Sequence, residues 1–204
     1  MLSSMFDLTG KAALVTGGSK GLGKAMARGL AEAGADIVIS SRHEEELKKA
    51  AEEIGAGLDR KVIYKVADMT DRKQVRGLAE FAVKELGRVD ILINNAGSNI
   101  PQGIDKITDE AWDQIVELNL NSCMVLTREL VPQMRTRKWG RIIHISSIMG
   151  LGSKEGRNSY SATKAALIGM CRATALDVGA DNITVNCIAP GPFLTDLPGS
   201  VLSA

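Results

Sequence analysis

The sequence has little excess charge, few cysteines and histidines, and no long apolar run. Its 25 lysines and arginines face 24 acids, leaving a net charge of +1 over 204 residues. No general field therefore draws it towards nucleic acid or an anionic membrane. No apolar stretch approaches the roughly 18 residues needed to cross a bilayer. The first residues lack the charged stretch and apolar core of a signal peptide. These absences predict a protein of the cytoplasm, with neither nucleic acid nor membrane as partner.

Three cysteines, Cys123, Cys171 and Cys187, are odd in number and set among apolar neighbours. They read as buried reduced thiols and not as a disulfide framework. His43 and His144 have no cysteine or carboxylate at ligand spacing, so no metal site is expected. The carboxylates show no pairing that demands acid/base chemistry. Arg135, Arg137 and Lys138, the densest basic cluster, sit among turn-like residues and read as a solvated loop. Trp112 and Trp139 read as packing residues. Without repeats, linkers or low-complexity tracts, residues 1–204 are expected to form a single domain.

What is present is an alternation. Ala12–Thr16, Asp36–Ser40, Lys61–Val66, Asp90–Asn94, Arg141–Ser146 and Ile183–Ala189 are short, rich in Val and Ile, and bounded by turn residues. They read as strands. Helices are predicted near Leu22–Ala33, Glu44–Ile54, Lys73–Leu86, Asp109–Met134 and Ser159–Val178. Near-continuous apolar strands alternating with amphipathic helices predict an α/β fold: a doubly wound parallel sheet of Rossmann type. Gly34, Gly87 and Gly179 are expected to end their helices in the left-handed conformation.

Directly after the first strand comes Thr16-Gly17-Gly18-Ser19-Lys20-Gly21-Leu22-Gly23. Gly17, Gly21 and Gly23 permit a tight turn, Ser19 and Leu22 lie within it, and the helix that follows offers unpaired N–H groups to a pyrophosphate. The second strand ends Ser40-Ser41-Arg42 with no acid at its tip. An acid there would read a ribose hydroxyl, whereas Arg42, with Lys20 nearby, suits a 2′-phosphate. The cofactor expected is NADP(H) over NAD(H).

Tyr160 and Lys164 stand four residues apart on one helical face. A tyrosine is a poor base near neutrality, but a lysine cation and the charge of an oxidised nicotinamide favour a phenolate. Ser147 follows the fifth strand, where parallel sheets bind their ligands, and its hydroxyl suits a substrate oxygen. Asn119 is a polar residue among Val116, Leu118 and Leu120, and a buried amide there needs partners.

Together these motifs resemble the short-chain dehydrogenase/reductases along essentially the whole chain. The family's glycine turn matches Gly17, Gly21 and Gly23, and its adenine-side aspartate matches Asp68, followed by Met69. Its Asn-Asn-Ala-Gly motif appears as Asn94-Asn95-Ala96-Gly97, and its tetrad as Asn119, Ser147, Tyr160 and Lys164. Pro190-Gly191 and Thr195, with Phe193 between them, match the segment that contacts the nicotinamide. The resemblance implies hydride transfer between NADP(H) and a carbonyl or alcohol, with Tyr160 as acid/base and Lys164 on the ribose. It implies that Asn119 supports a proton relay. It also implies a pocket bordered by Ser98, Asn99, Ile148, Met149 and Phe193, suited to a 3-oxoacyl thioester, a sugar acid such as gluconate, or another small ketone. Self-association through the two long helices is expected, as a homotetramer or homodimer. The sequence ends at Ala204, and the family pattern places a lid, a helix and a strand beyond that point. A cofactor-binding sensor or scaffold without turnover is the alternative from another class.

Overall fold

Each of the six apolar runs forms a strand, and all pair in parallel. The computed structural model describes residues 5–193, so Thr195 lies outside the described residues. The strands are β1 (Ala12–Thr16), β2 (Asp36–Ser41), β3 (Val62–Val66), β4 (Ile91–Asn94), β5 (Gly140–Ile145) and β6 (Ile183–Ile188). Their order in the sheet is β3-β2-β1-β4-β5-β6. Strand order therefore reverses between β1 and β4, and the crevice above that reversal is where doubly wound sheets take their ligands.

The helices are α1 (Gly21–Glu32), α2 (Glu44–Gly55), α3 (Arg72–Leu86), α4 (Asp109–Val116), α5 (Ser122–Arg137) and α6 (Asn158–Val178). On one face of the sheet, Ala13, Val15, Ile37 and Ile39 pack against Ala27 and Ala31 of α1 and Leu47 and Ile54 of α2. On the other, Leu14, Val38, Leu92 and Ile142 pack against α3, α5 and α6. Burial on both faces explains why β1 and β4 carry no exposed position.

Four local readings are refined. The predicted helix Asp109–Met134 is interrupted: a π-helical turn, Glu117–Asn121, separates α4 from α5. Gly34 and Gly87 adopt positive φ as expected, but Gly179 does not. Its backbone stays right-handed in a short 3₁₀ turn, Gly179–Asp181, and Asn182 takes the left-handed position at φ 56°. Asparagine tolerates that conformation through its short polar side chain.

The basic cluster is not a loop. Arg135 and Arg137 lie in the last turn of α5, and Lys138 is its left-handed cap, where cations meet the negative end of the helix dipole. Arg135 and Lys138 pair with Asp181, and Arg137 reaches the buried Asp90 at 3.2 Å. Finally, Cys123 and Cys171 are buried, whereas Cys187 is only half-buried; all three are free thiols. No helix among the described residues is long and apolar enough to cross a membrane.

Candidate active site

The glycine turn occupies the end of β1, beside the strand reversal. Gly17 has φ 64°, a conformation side chains rarely adopt. A Cβ on Gly23 would lie 2.1 Å from the Gly17 carbonyl oxygen and 2.5 Å from Asn95 Nδ2. Only hydrogen fits there. The turn is braced from β4: Asn95 Nδ2 donates to the carbonyls of Thr16 (2.9 Å) and Gly17 (3.2 Å). Thr16 Oγ1 in turn accepts from the amides of Asn95 and Ala96, both at 3.0 Å. The side chain of Asn95 is thus spent inside the protein, shaping the cradle. The start of α1, with Lys20 at its cap and no side-chain capping bond, faces the same crevice.

At the tip of β2, the Ser41 hydroxyl is buried without a partner among the described residues, and Arg42 is exposed. Lys20 leans from the glycine turn onto Glu46, 2.7 Å away. That hydrogen bond holds the Glu46 carboxyl below the usual carboxylate range. Asp68 uses one carboxylate oxygen to accept from the Thr70 amide and hydroxyl, both at 2.8 Å. The Met69 side chain is buried in the core.

Across the reversal lie the four expected catalytic residues. Ser147, only 8% exposed, follows β5 and caps a 3₁₀ turn, Ile148–Gly150. Its oxygen accepts from the Met149 amide at 3.1 Å, which leaves its own hydrogen free to donate. Lys164 is buried on α6, and its ammonium donates to the Ile145 carbonyl at 2.8 Å. It stands 5.6 Å from the centre of the Tyr160 ring. Burial pushes the Lys164 ammonium below its ordinary pKa. Tyr160 is half-buried.

Asn119 is wholly buried in the π-helical turn. Its oxygen accepts from the Ser98 amide at 3.0 Å, and its Nδ2 donates to the Ser98 carbonyl (2.9 Å) and to Thr163 Oγ1 (3.2 Å). The side chain therefore clamps the loop after β4 to α6. The widened turn frees backbone carbonyls, and neighbouring side chains bond them: Ser122 Oγ donates to the Leu118 carbonyl, and Cys123 Sγ to that of Asn119. On its outer side, Glu117 accepts from Arg72 Nη2 at 2.9 Å and from Asn121 Nδ2 at 2.6 Å. Gly97 packs beneath the clamp, where a Cβ would sit 3.2 Å from Asn119 Oδ1 and 3.3 Å from Lys164 Nζ.

The structure adds three residues that sequence reasoning missed. Thr163 donates to the Tyr160 carbonyl at 2.8 Å while accepting from Asn119. Ser146 Oγ donates to the Lys164 carbonyl at 2.7 Å. Gly150 lets the 3₁₀ turn touch α6, since a Cβ there would lie 2.8 Å from the Lys164 carbonyl carbon. The available signal was adjacency: a hydroxyl precedes Ser147 and another precedes Lys164, each on a segment already singled out. From β6, the Pro190 carbonyl accepts from the Ile148 amide at 3.0 Å, placing Pro190-Gly191 beside Ser147. Phe193 is half exposed.

The sequence profile of the short chain dehydrogenase family matches residues 11–203. Nodulation protein G of Rhizobium sp. (strain N33) is 41% identical over 187 residues, 92% of this chain and 75% of the relative. The 3-oxoacyl-(acyl-carrier-protein) reductase FabG of Rickettsia bellii is 37% identical, over 95% of this chain and 77% of its own length. D-beta-hydroxybutyrate dehydrogenase of Cupriavidus necator is 37% identical over 93% and 73%. Among solved structures, a Beutenbergia cavernae chain assigned as an NAD(P)-dependent gluconate 5-dehydrogenase, with NADP bound at low occupancy, superposes with a TM-score of 0.91. It is 31% identical, covering 97% of this chain and 78% of that one. Fold, glycine cradle and sequence agree: the chain belongs to the short-chain dehydrogenase family, whose members are oxidoreductases.

Proposed function

We propose that the protein is an NADP(H)-dependent oxidoreductase interconverting a ketone and a secondary alcohol, with Tyr160 as general acid/base. The observation that carries this reading is the buried Lys164 ammonium, fixed on the Ile145 carbonyl 5.6 Å from the Tyr160 ring. A cation held in a low-dielectric crevice acts strongly on an anion forming beside it.

The residues present fit a dinucleotide. The Gly17–Gly23 turn and the start of α1 would hold its pyrophosphate, and Ser41 and Arg42 the adenosine ribose phosphate. Asp68 would hold the adenine side, and Ala96, Gly97, Pro190 and Gly191 the nicotinamide side. Bound cofactor would supply or accept the hydride. In reduction, the Tyr160 hydroxyl gives its proton to the substrate oxygen, while Ser147, its own oxygen fixed by the Met149 amide, donates a hydrogen bond to it. Lys164 has two N–H groups beyond the one on Ile145; these steady a Tyr160 oxyanion and a ribose hydroxyl. Asn119 keeps the loop after β4 at this distance and supports the return of a proton.

The choice of NADP(H) rests on the unpartnered Ser41 hydroxyl, the exposed Arg42 and the lack of an acid at the tip of β2. The solved relative with bound NADP supports it. Substrates of the kinds named for the relatives, 3-oxoacyl thioesters, hydroxybutyrate and gluconate, define the panel to try. Free thiols support a cytosolic setting, and the exposed Trp112 and Leu176 support self-association through α4 and α6.

The test is NADPH oxidation across that panel. Tyr160→Phe keeps NADPH binding and loses turnover by roughly a thousandfold; undiminished turnover sinks the assignment. Arg42→Ala weakens NADPH about tenfold more than NADH, as expected for one charge-assisted contact; equal losses refute the cofactor preference. Cofactor binding without turnover of any substrate favours a sensor.

A further inference from the structure

The π-helical turn runs from Glu117 to Asn121, with Asn119 at its middle. Such turns are rare and are found mostly at functional sites. One carboxylate holds the outer side of this turn. Asn121 Nδ2 donates to Glu117 Oε2 at 2.6 Å, so a side-chain bond joins the last residue of the turn to the first. Arg72 grips both oxygens of the same carboxylate, Nε on Oε1 and Nη2 on Oε2, the latter at 2.9 Å. A fork of this kind fixes orientation as well as distance. The anchor is itself fixed. Arg72 is the first residue of α3, whose cap, Asp71, accepts from the amides of Lys73 at 2.8 Å and Gln74 at 3.3 Å. Val75 and Leu78 of α3 share the core with Leu126 and Leu130 of α5. Exposed ion pairs contribute little as a rule. In this one the acid is the sheltered partner, its side chain 22% exposed against 50% for Arg72. The Arg72 bond, with that of Asn121 adding to it, keeps the Glu117 carboxyl below the usual carboxylate range.

We infer that Glu117 is a positioning residue for the reaction: clipped to Asn121 and anchored by Arg72, it keeps Asn119 aimed at Ser98 and Thr163. This rests on the oxidoreductase reading of the site. Asn119 Nδ2 donates to the Ser98 carbonyl and to Thr163 Oγ1, and Thr163 donates in turn to the Tyr160 carbonyl. Glu117 thus reaches the helix of the acid/base residue through two side chains, while touching neither substrate nor cofactor. Without the clip the turn is free to tighten towards ordinary α-helical spacing, and Asn119 swings off its partners. A misplacement of about 1 Å, even from a change far from the chemistry, can cost about a hundredfold in rate. Loss of the clip leaves the Ser122 and Cys123 bonds in place, so a smaller loss, about tenfold, is expected.

The experiment measures NADPH oxidation by the purified full chain with the panel ketone that the wild type reduces fastest. Glu117→Ala and Arg72→Met each lower kcat by about tenfold and leave the KM for NADPH within about twofold. Arg72→Met changes a half-exposed side chain, so the comparison survives if Glu117→Ala does not fold. In an Asn119→Ala background neither substitution lowers kcat further by more than about twofold, because residues that act through one partner do not add. Amide exchange gives a readout apart from turnover. The Ser98 amide, bonded to Asn119, exchanges about tenfold faster in both variants, while the Asn95 amide, bonded to Thr16, keeps its rate. Losses that multiply with that of Asn119→Ala overturn the inference. So does an unchanged kcat, or a loss that falls on the KM for NADPH. No turnover of any panel ketone by the wild type is a different result: it defeats the hydride-transfer reading and this inference with it, whereas unchanged Ser98 exchange defeats the inference alone.

Discussion

Against α1 and α2 the sheet presents Ala13, Val15, Ile37, Ile39, Ile91 and Ile93, and meets alanines at 27, 31, 50 and 51. Against α5 and α6 it presents Leu92 and Ile142 low down, then Asn94 and His144 at the strand ends, facing Thr127. Strand alternation puts these residues on the second face: they follow Leu92 and Ile142 by two. The first face is dry and closely packed, and small side chains bring α1 down so that its first turn meets the end of β1. The second buries an amide, an imidazole and a lysine beneath the site. Stability and cofactor geometry coincide on the first face, whereas on the second they oppose each other.

The largest expected effect follows from removing the buried charge on the polar face. Lys164→Met lowers turnover by about a thousandfold, or roughly 4 kcal/mol of barrier. It also raises Tm by about 2–4 °C, because an uncompensated buried cation is replaced by an apolar chain. Calorimetry and NADPH oxidation read the two together; a fall in both removes the opposition.

On the dry face, the expectation is that both quantities fall together. Gly23→Ala places a methyl 2.1 Å from the Gly17 carbonyl oxygen. It costs about 3 kcal/mol of stability and weakens NADPH binding by more than about tenfold. Gly29→Ala, on the same helix with nothing within 4 Å of a Cβ, is the contrast: it stabilises by up to about 1 kcal/mol and leaves binding untouched. Chemical denaturation and NADPH titration compare the pair.

The remaining effect is in acid. His144 is fully buried, and burial, with the Lys164 charge adding to it, pushes its pKa down from 6.5 to about 4. In the unfolded chain it takes up a proton that the folded protein refuses. Stability therefore falls as pH drops from 6.5 to 4, and the loss is complete, at about 3 kcal/mol, below the folded value. Above pH 6.5 the residue contributes nothing. His144→Asn, which cannot titrate, flattens that part of the stability profile in urea titrations, and an unchanged slope rules His144 out as its source.

The contrast between the faces also marks what the sequence displays. Apolar alternation and glycine spacing are local, so the strands, the glycine turn and the Tyr160–Lys164 pair were all legible. Gly17 and Gly87 were visible because left-handed turns demand glycine; Asn182 was not, because Gly179 was the more obvious candidate for the same duty. The π-helical turn left no mark. Asp109–Met134 reads as one helix, and it is widened by the bonds from Asn119 to Ser98 and Thr163, residues 21 and 44 positions away. The brace from Asn95 onto Thr16 was hidden likewise, since the motif shows an asparagine but not which way its amide turns. Tertiary hydrogen bonds, more than burial, account for what was missed.

The widened turn has a further consequence. It holds one residue more than a regular helical turn, and each residue rotates a helix by about 100°. Deleting one residue between 117 and 121 heals α4 and α5 into a single helix, but their two stretches then no longer share a phase. Either Leu126, Leu130 and Met134 keep their places in the core, or Asn119 keeps its grip on Ser98. The extra residue works as a joint that lets one continuous helix obey two registers, one set by the core and the other by the site.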